Sequence, residues 1–309
     1  MIKRTLSFSN PAYLSLSQEQ LVIKLPEVEK NTELPEVVKA KSTVSVPIED
    51  IGIVIIDHKQ ITLTSGLIEK LHANNVAIIY CGSNHLPTGL SLALENNHTY
   101  TEKLRYQLNA SEPLKKQLWK QTIECKITNQ AKVLDKLGYN GKPLLKMAEK
   151  VTSGDAENME GQAAAKYWEI LLKPHQVTRG QEEGGPNIFL NYGYAILRAV
   201  IARNLVGSGC LPAVGIHHRN KYNAFCLADD IMEPYRPLVD EAVFTYLSQI
   251  EIIPDFLRQE DKKQLLQIPV IDVKIESKMS PLLVAAQRTT ASLVKCYEGT
   301  SRKILYPVI

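Results

Sequence analysis

The chain changes its rhythm near residue 100. Before that point, short runs alternate apolar and polar residues: RTLSF, AYLSLS, LVIKL, STVSVP, GIVIID and ITLT. Alternation sends successive side chains to opposite faces, which predicts β-strands. A hairpin turn is expected at Gln18-Glu19-Gln20, a short helix near residues 66–73, a buried strand in NVAIIYCG and a last strand at SLALE. The charged, proline-containing stretch 26–47 reads as a loop or arm. Beyond residue 100 the apolar positions recur every three or four residues, across 101–150, 155–173, 187–206, 238–250 and 280–297. That is helical spacing. Gly184-Gly185-Pro186 and Gly207-Ser208-Gly209 interrupt this part. The pattern predicts an α+β chain with a boundary near residues 95–102. A small β-rich domain, residues 1–98, precedes a larger all-α domain, residues 99–309.

Charge changes the picture only locally. The net charge is +3, but residues 101–150 hold 11 basic against 5 acidic residues, while both flanks are slightly acidic. A basic block can follow phosphates or simply form a solvated helix face. The five cysteines include no CxxC pair, which points to reduced thiols rather than disulfides or a zinc ribbon. The N-terminus lacks the apolar core of a signal peptide, and no run approaches the ~20 apolar residues of a membrane span. A cytoplasmic protein is expected.

Candidate chemistry gathers in two places. In GDAENMEGQAAAKYWEILL, Ser153 or Asp155 is a plausible N-cap, and Ala156, Ala163, Tyr167 and Ile170 form an apolar stripe. Glu160 falls within that stripe. Two readings stand: Glu160 pairs with a Lys or Arg at the stripe's edge, or it binds a metal. The second place is GIHHRNKYNAFCLADDIMEPYRPLVD, residues 215–240. Asp229 and Asp230 lie four and three residues before Glu233, so on a helix either shares a face with it. Repulsion between them is relieved by a divalent cation, or the two aspartates serve as helix caps. Adjacent His217 and His218 in extended chain point to opposite faces, so one of them at most reaches a common metal. One imidazole with carboxylates suits Mg²⁺ or Mn²⁺ better than structural zinc. Such metals serve phosphoryl transfer. The helix 187–203 carries Asn187, Asn191, Tyr192, Tyr194, Arg198 and Arg203, which either support a site, contact DNA or pack. Arg236 and Asp240, four apart, are expected to form an ion pair. No Walker loop, GxSxG or HExxH occurs.

These motifs carry a resemblance. MEGQAAAKYW around Glu160, LNYGYAILRAVIARNLV, and the whole of GIHHRNKYNAFCLADDIMEPYRPLVD resemble the CRISPR-associated integrase family, the metal-dependent endonucleases of spacer acquisition, in its type II form. The resemblance implies that Glu160, His218 and Glu233 bind the metal. Many relatives have Asp as the third ligand, which leaves Asp229 and Asp230 as additional or alternative ligands here. It also implies homodimers flanking a small ferredoxin-like CRISPR-associated partner protein, which together hold a double-stranded prespacer. Each 3′-hydroxyl of the prespacer then attacks a phosphodiester at a repeat border in a CRISPR array, by transesterification without a covalent enzyme intermediate. The β domain would make the dimer and partner contacts and the helical domain would carry the site. Lys103, Arg105, Lys115, Lys116 and Lys120 are expected along the prespacer backbone, with Asn187, Tyr192 and Arg198 as further DNA contacts. Two alternatives share the residue pattern: a metal-dependent nuclease that does not integrate, and a non-catalytic DNA-binding scaffold.

Overall fold

The computed structural model describes residues 3–32, 35, 37, 39, 42–94, 97–180 and 184–309. The chain divides into two compact units, residues 1–96 and 97–309. Residues 95 and 96 at the division, and residues 33–34, 36, 38 and 40–41 of the expected arm, lie outside the described set.

The first unit holds two four-stranded sheets. One has the order β1 (Arg4–Phe8), β5 (Ile51–Ile56), β7 (Ala77–Cys81), β8 (Pro87–Ser91). Its first three strands are parallel and β8 is antiparallel to β7. The other runs β4 (Val44–Pro47), β3 (Gln20–Lys24), β2 (Ala12–Ser17), β6 (Ile61–Leu63). Strand β5, IGIVII, is buried at every position. A strand covered on both faces needs an unbroken apolar run, and β5 has one. Ile51, Val54 and Ile78 of the first sheet share a core with Leu14 and Leu21 of the second, and with Leu67 and Leu71 of a helix. That helix is α2 (Ser65–Ala73); α1 (Pro26–Glu29) is a single turn. The β2–β3 hairpin turns at Gln18 and Glu19, both at positive φ, with Ser17 paired to Gln20. Two left-handed residues in a two-residue loop match the twist of the strands. The last strand is PTGLS, four residues earlier than the expected SLALE. Gly89 faces Tyr80 there, and an added Cβ would meet the Tyr80 side chain at 3.5 Å.

The second unit is built on two long helices. The segment 101–150 is broken into α3 (Tyr100–Leu108), α4 (Glu112–Lys136) and α5 (Lys142–Ala148). Ser111 caps α4, and Pro113 and Pro143 sit in the first turns of α4 and α5, where a missing N–H costs nothing. Next come α6 (Met159–Leu172) and α7 (Gly185–Gly207). The latter is buried over most of its length and ends at Gly207, where the glycine pair begins. Then follow α8 (Cys226–Met232), α9 (Arg236–Leu247), α10 (Gln259–Leu265) and α11 (Leu282–Tyr297). The fold is α+β as expected, with one amendment to its helical part. Strands β9 (Asp272–Ile275) and β10 (Lys278–Pro281) form an antiparallel hairpin, turning at Glu276 and Ser277 with positive φ. No described helix is long and apolar enough to cross a membrane.

The corner between α4 and α5 tests how tightly the second unit is packed. A Cβ on Gly141 would stand 2.0 Å from the Ala131 carbonyl oxygen, a backbone atom inside α4. Gly141→Ala is expected to cost about 2–3 kcal/mol, the upper range for overpacking. A thermal melt reads this as a drop of several degrees; an unchanged melt would mean the corner opens freely.

Candidate active site

Helix α4 brings one lysine into the interior. Lys126 follows Trp119, Thr122 and Ile123 on a buried stripe. Its Nζ lies 2.6 Å from Glu160 Oε1 and 2.6 Å from Glu233 Oε2. Glu160 stands in the first turn of α6, and its backbone is fixed by two caps. The Asp155 carboxylate accepts from the Met159 and Glu160 amides at 2.8 and 3.0 Å, and Asn158 Oδ1 accepts from Gly161 N at 3.1 Å. Asn158, not Ser153 or Asp155, is the N-cap residue, and it adopts a left-handed conformation. A side chain at position 161 would collide with the Asn158 amide at 2.7 Å, which explains the glycine after Glu160.

Glu233 follows α8 at the tight turn into α9, with Pro234 after it. Arg236 Nε lies 2.8 Å from Glu233 Oε1. The expected Arg236–Asp240 ion pair is therefore replaced by an Arg236–Glu233 pair one turn apart. Burial would raise the Glu233 carboxyl, but Arg236 and Lys126 overcome it and hold the group below the usual carboxylate range. Burial works against the Lys126 ammonium too, yet Glu233 and Glu160 keep its pKa raised. Glu160 thus pairs with a lysine, and that lysine joins it to a second carboxylate. Breaking a buried pair costs about 3–5 kcal/mol, whereas apolar groups of equal volume are often neutral or better. Stability alone does not call for such a cluster.

The histidine loop is organised by Asp230, whose side chain is wholly buried. One carboxylate oxygen accepts from the Ile216 and His217 amides at 2.7 and 3.0 Å; the other accepts from the His218 amide at 3.2 Å and the His218 Nδ1 at 2.5 Å. With Nδ1 donating, Nε2 is the ring's remaining lone-pair donor, the usual preparation of a metal-binding imidazole. The Asp230 hydrogen bond raises the His218 pKa against the effect of burial. His217 goes elsewhere. Its ring stacks on Trp119, centroids 4.1 Å apart and planes parallel, and burial lowers its pKa. Asp229 accepts from Arg198 Nε at 2.7 Å and from Asn223 Nδ2 at 2.7 Å. Asp229 and Asp230 are thus each engaged by local partners, Asp229 by Arg198 and Asn223 and Asp230 by the histidine loop. Neither is a simple cap.

Glu160, Glu233 and His218 are thus brought to one region by α6, the α8–α9 turn and the loop before α8. As they stand, among the described residues, no three His, Cys, Asp or Glu side chains are close enough to share a metal ion. The two glutamates meet at Lys126 instead. Their convergence on one cationic point, beside an imidazole with a fixed ring, fits an oxygen-rich divalent site.

Beside Glu233 opens a cavity of about 430 Å³, with Lys126, Gln130, Trp168, Arg179, Arg236 and Asp240 among its walls. Arg179 donates to Asn187 Oδ1 at 3.0 Å and Asn191 Oδ1 at 2.8 Å. Asp240 accepts from the hydroxyls of Tyr194 and Tyr167. Two of the expected DNA contacts are corrected here. Asn187 is buried and spent on Arg179, and Tyr192 is enclosed in the core, so neither offers a surface to DNA. Arg198 is part-exposed but paired with Asp229. Lys103 packs over Gly209, and Arg105 and Lys116 are exposed. Lys115 pairs with Glu112 and Lys120 with Glu124, each at 3.4 Å. The sequence reading missed Lys126 and Arg179 as partners. Lys126 had a signal, since it continues the buried stripe of Thr122 and Ile123 at helical spacing.

The family model for CRISPR associated protein Cas1 matches residues 7–271. This chain belongs to that family. A CRISPR-associated endonuclease Cas1 of Neisseria meningitidis serogroup C is 36% identical over 294 residues, covering 94% of this chain and 91% of the relative. Among solved structures, a casposase bound to integration product superposes with a TM-score of 0.77 at 21% identity, covering 98% of this chain and 92% of that one. The Cas1 of Thermotoga maritima gives 0.74 at 16% identity, covering 96% and 97%. At those identities the structural likeness establishes the fold.

Asp240 provides a pH test. Burial pushes its carboxyl up to about 7 from 3.8, partly offset by the Tyr194 and Tyr167 hydroxyls and by Arg236 and Arg179. A raised carboxyl holds its proton in the folded state after the unfolded chain has lost it. Stability from this group is therefore full below pH 3.8 and is lost as pH rises through about 7. Melts between pH 4 and pH 8 are expected to show this decline, and Asp240→Asn to flatten it. An identical decline in the variant would assign the effect to another group.

Proposed function

We propose that this chain is a divalent-metal-dependent DNA integrase and endonuclease that inserts short prespacer duplexes into a CRISPR array. The observation that carries the reading is the meeting of Glu160 and Glu233 at one cationic point, 2.6 Å from each, beside His218 with its Nδ1 held by Asp230. Glu160, Glu233 and His218 would hold Mg²⁺ or Mn²⁺. When bound, such an ion withdraws charge from a phosphodiester and favours departure of the 3′ oxygen. The chain's own residues do the rest. Asp155 and Asn158 orient Glu160, Asp230 orients His218, and Arg236 orients Glu233. Lys126 and Arg236 present positive charge where a phosphate must approach. The reading needs no nucleophilic Ser or Cys, because a prespacer 3′-hydroxyl attacks the array phosphodiester directly.

The partners follow from the same reading: double-stranded prespacer and leader–repeat DNA, a second copy of the chain, and a small ferredoxin-like CRISPR-associated protein. The N-terminal unit would make dimer and partner contacts. Lys115, Lys116 and Lys120 precede Lys126 on α4 by up to three turns and would meet the backbone of the duplex. One observation favours a second reading, the non-catalytic scaffold. Lys126 already satisfies both glutamates, as it would in a purely structural cluster.

The discriminating experiment is strand transfer of a labelled duplex into a plasmid carrying leader and repeat, with the small partner and Mg²⁺ or Mn²⁺ present. Glu160→Gln, Glu233→Gln and His218→Ala are each expected to reduce joining by roughly a thousandfold, with duplex binding within a few fold of wild type. Metal-dependent cleavage without joining would replace integration with the nuclease reading. Joining that survives all three substitutions would remove these residues from the chemistry.

A further inference from the structure

The residues assigned to the metal already share a cation. Lys126 Nζ occupies the point where Glu160 Oε1 and Glu233 Oε2 meet, and Arg236 Nε lies 2.8 Å from the other Glu233 oxygen. Two carboxylates face two cations, so the cluster is neutral before any metal arrives. A divalent ion would leave it with two excess positive charges. The side chains involved are largely buried: Lys126 is 10% exposed and Glu233 6%. Like charges near a protein surface repel about four times more strongly than in bulk water. Either Lys126 must withdraw, or an anion must enter with the metal.

The cavity beside the cluster suits an anion. Its volume, about 430 Å³, is bounded by Lys126, Arg179 and Arg236. Its two acids are already engaged, Glu233 by the two cations and Asp240 by two tyrosine hydroxyls. Arg179 is held in place by Asn187 and Asn191, so its guanidinium is oriented in advance. Gln130 Oε1, in the same wall, is buried and has no hydrogen-bond partner among the described residues. A phosphodiester brings its nucleotide with it, and the nucleotide's base supplies a donor for that oxygen.

We propose that Lys126 is an internal counter-cation that disfavours divalent-metal binding until a DNA phosphodiester enters the cavity lined by Lys126, Arg179 and Arg236. This rests on the metal-site reading given above. Coupling of this kind is reciprocal: the phosphodiester raises metal affinity, and the metal raises phosphodiester affinity by the same factor. The free protein is then poorly loaded with metal, and its nuclease chemistry waits for DNA.

The test is Mn²⁺ binding by calorimetry to the full chain, alone and with saturating duplex. Wild type is expected to bind Mn²⁺ at least tenfold more tightly with duplex than without. Lys126→Met is expected to bind it at least tenfold more tightly than wild type in the absence of DNA, and Lys126→Arg no more tightly than wild type. Lys126→Met leaves two carboxylates facing each other, so its melting temperature is read in EDTA and in Mn²⁺; a larger rise with Mn²⁺ than in wild type supports the proposal. Arg179→Ala leaves the carboxylates and Lys126 in place and should lose most of the tightening by duplex. Equal Mn²⁺ affinity with and without duplex in wild type overturns the proposal, as does unchanged tightening in Arg179→Ala. If Glu233→Gln with duplex bound leaves Mn²⁺ affinity intact, the metal-site reading itself falls. If Glu233→Gln abolishes binding while DNA and Lys126 have no influence, only the coupling falls.

Discussion

One buried and one half-buried carboxylate share one ammonium, and much of the second unit serves to keep that arrangement in place. An isolated charge in a protein interior loses its proton or gains one sooner than it stays ionised. Lys126, Glu233 and Arg236 are held in their charged forms by opposite charges within 2.8 Å, and Glu160 completes the cluster through its pair with Lys126. Helix α4 is the spine of this cluster. One turn beyond Lys126, Asn129 donates to the Pro234 carbonyl and to the Pro307 carbonyl, at 2.9 and 3.0 Å. The residue after Glu233 and a segment more than seventy residues later are thus tied to the helix that carries the lysine.

The histidine side of the site depends on a different device. Asp230 gathers three consecutive backbone amides and the His218 ring, so the loop is wrapped around one carboxylate. His217 is drawn away by its stacking on Trp119. The adjacent histidines take different contacts: His217 stacks face to face on Trp119, whereas His218 meets the same ring edge-on and is held by Asp230. Close approach also demands Gly215, where a side chain would stand 2.4 Å from the His218 carbonyl oxygen.

Much of this was legible in the sequence, and the rest was hidden for definite reasons. Alternation located β2, and the unbroken apolar run of β5 announced a strand covered on both faces. SLALE alternates as well as PTGLS does, but Gly89 fits against Tyr80 and fixes the pairing earlier. The β9–β10 hairpin escaped because Glu276 and Ser277 take left-handed conformations without a glycine to mark them. Glu160, His218 and Glu233 stood out as acids and a histidine in apolar surroundings. Lys126 did not, because it was one of 11 basic residues in a block read as a surface. The partners of Asp230, three amides and the His218 ring, were hidden because only folding brings them near. Asn187 and Tyr192 looked available on a polar helix, yet α7 is enclosed on nearly every side.

A divalent-metal site formed by one imidazole and two glutamates has a spectroscopic signature. Pulsed electron paramagnetic resonance of Mn²⁺ bound to the protein–duplex complex is expected to show coupling to a single imidazole nitrogen, present in wild type and in His217→Ala and absent in His218→Ala. Bound Mn²⁺ with no nitrogen coupling, or coupling that disappears in His217→Ala instead, would contradict it.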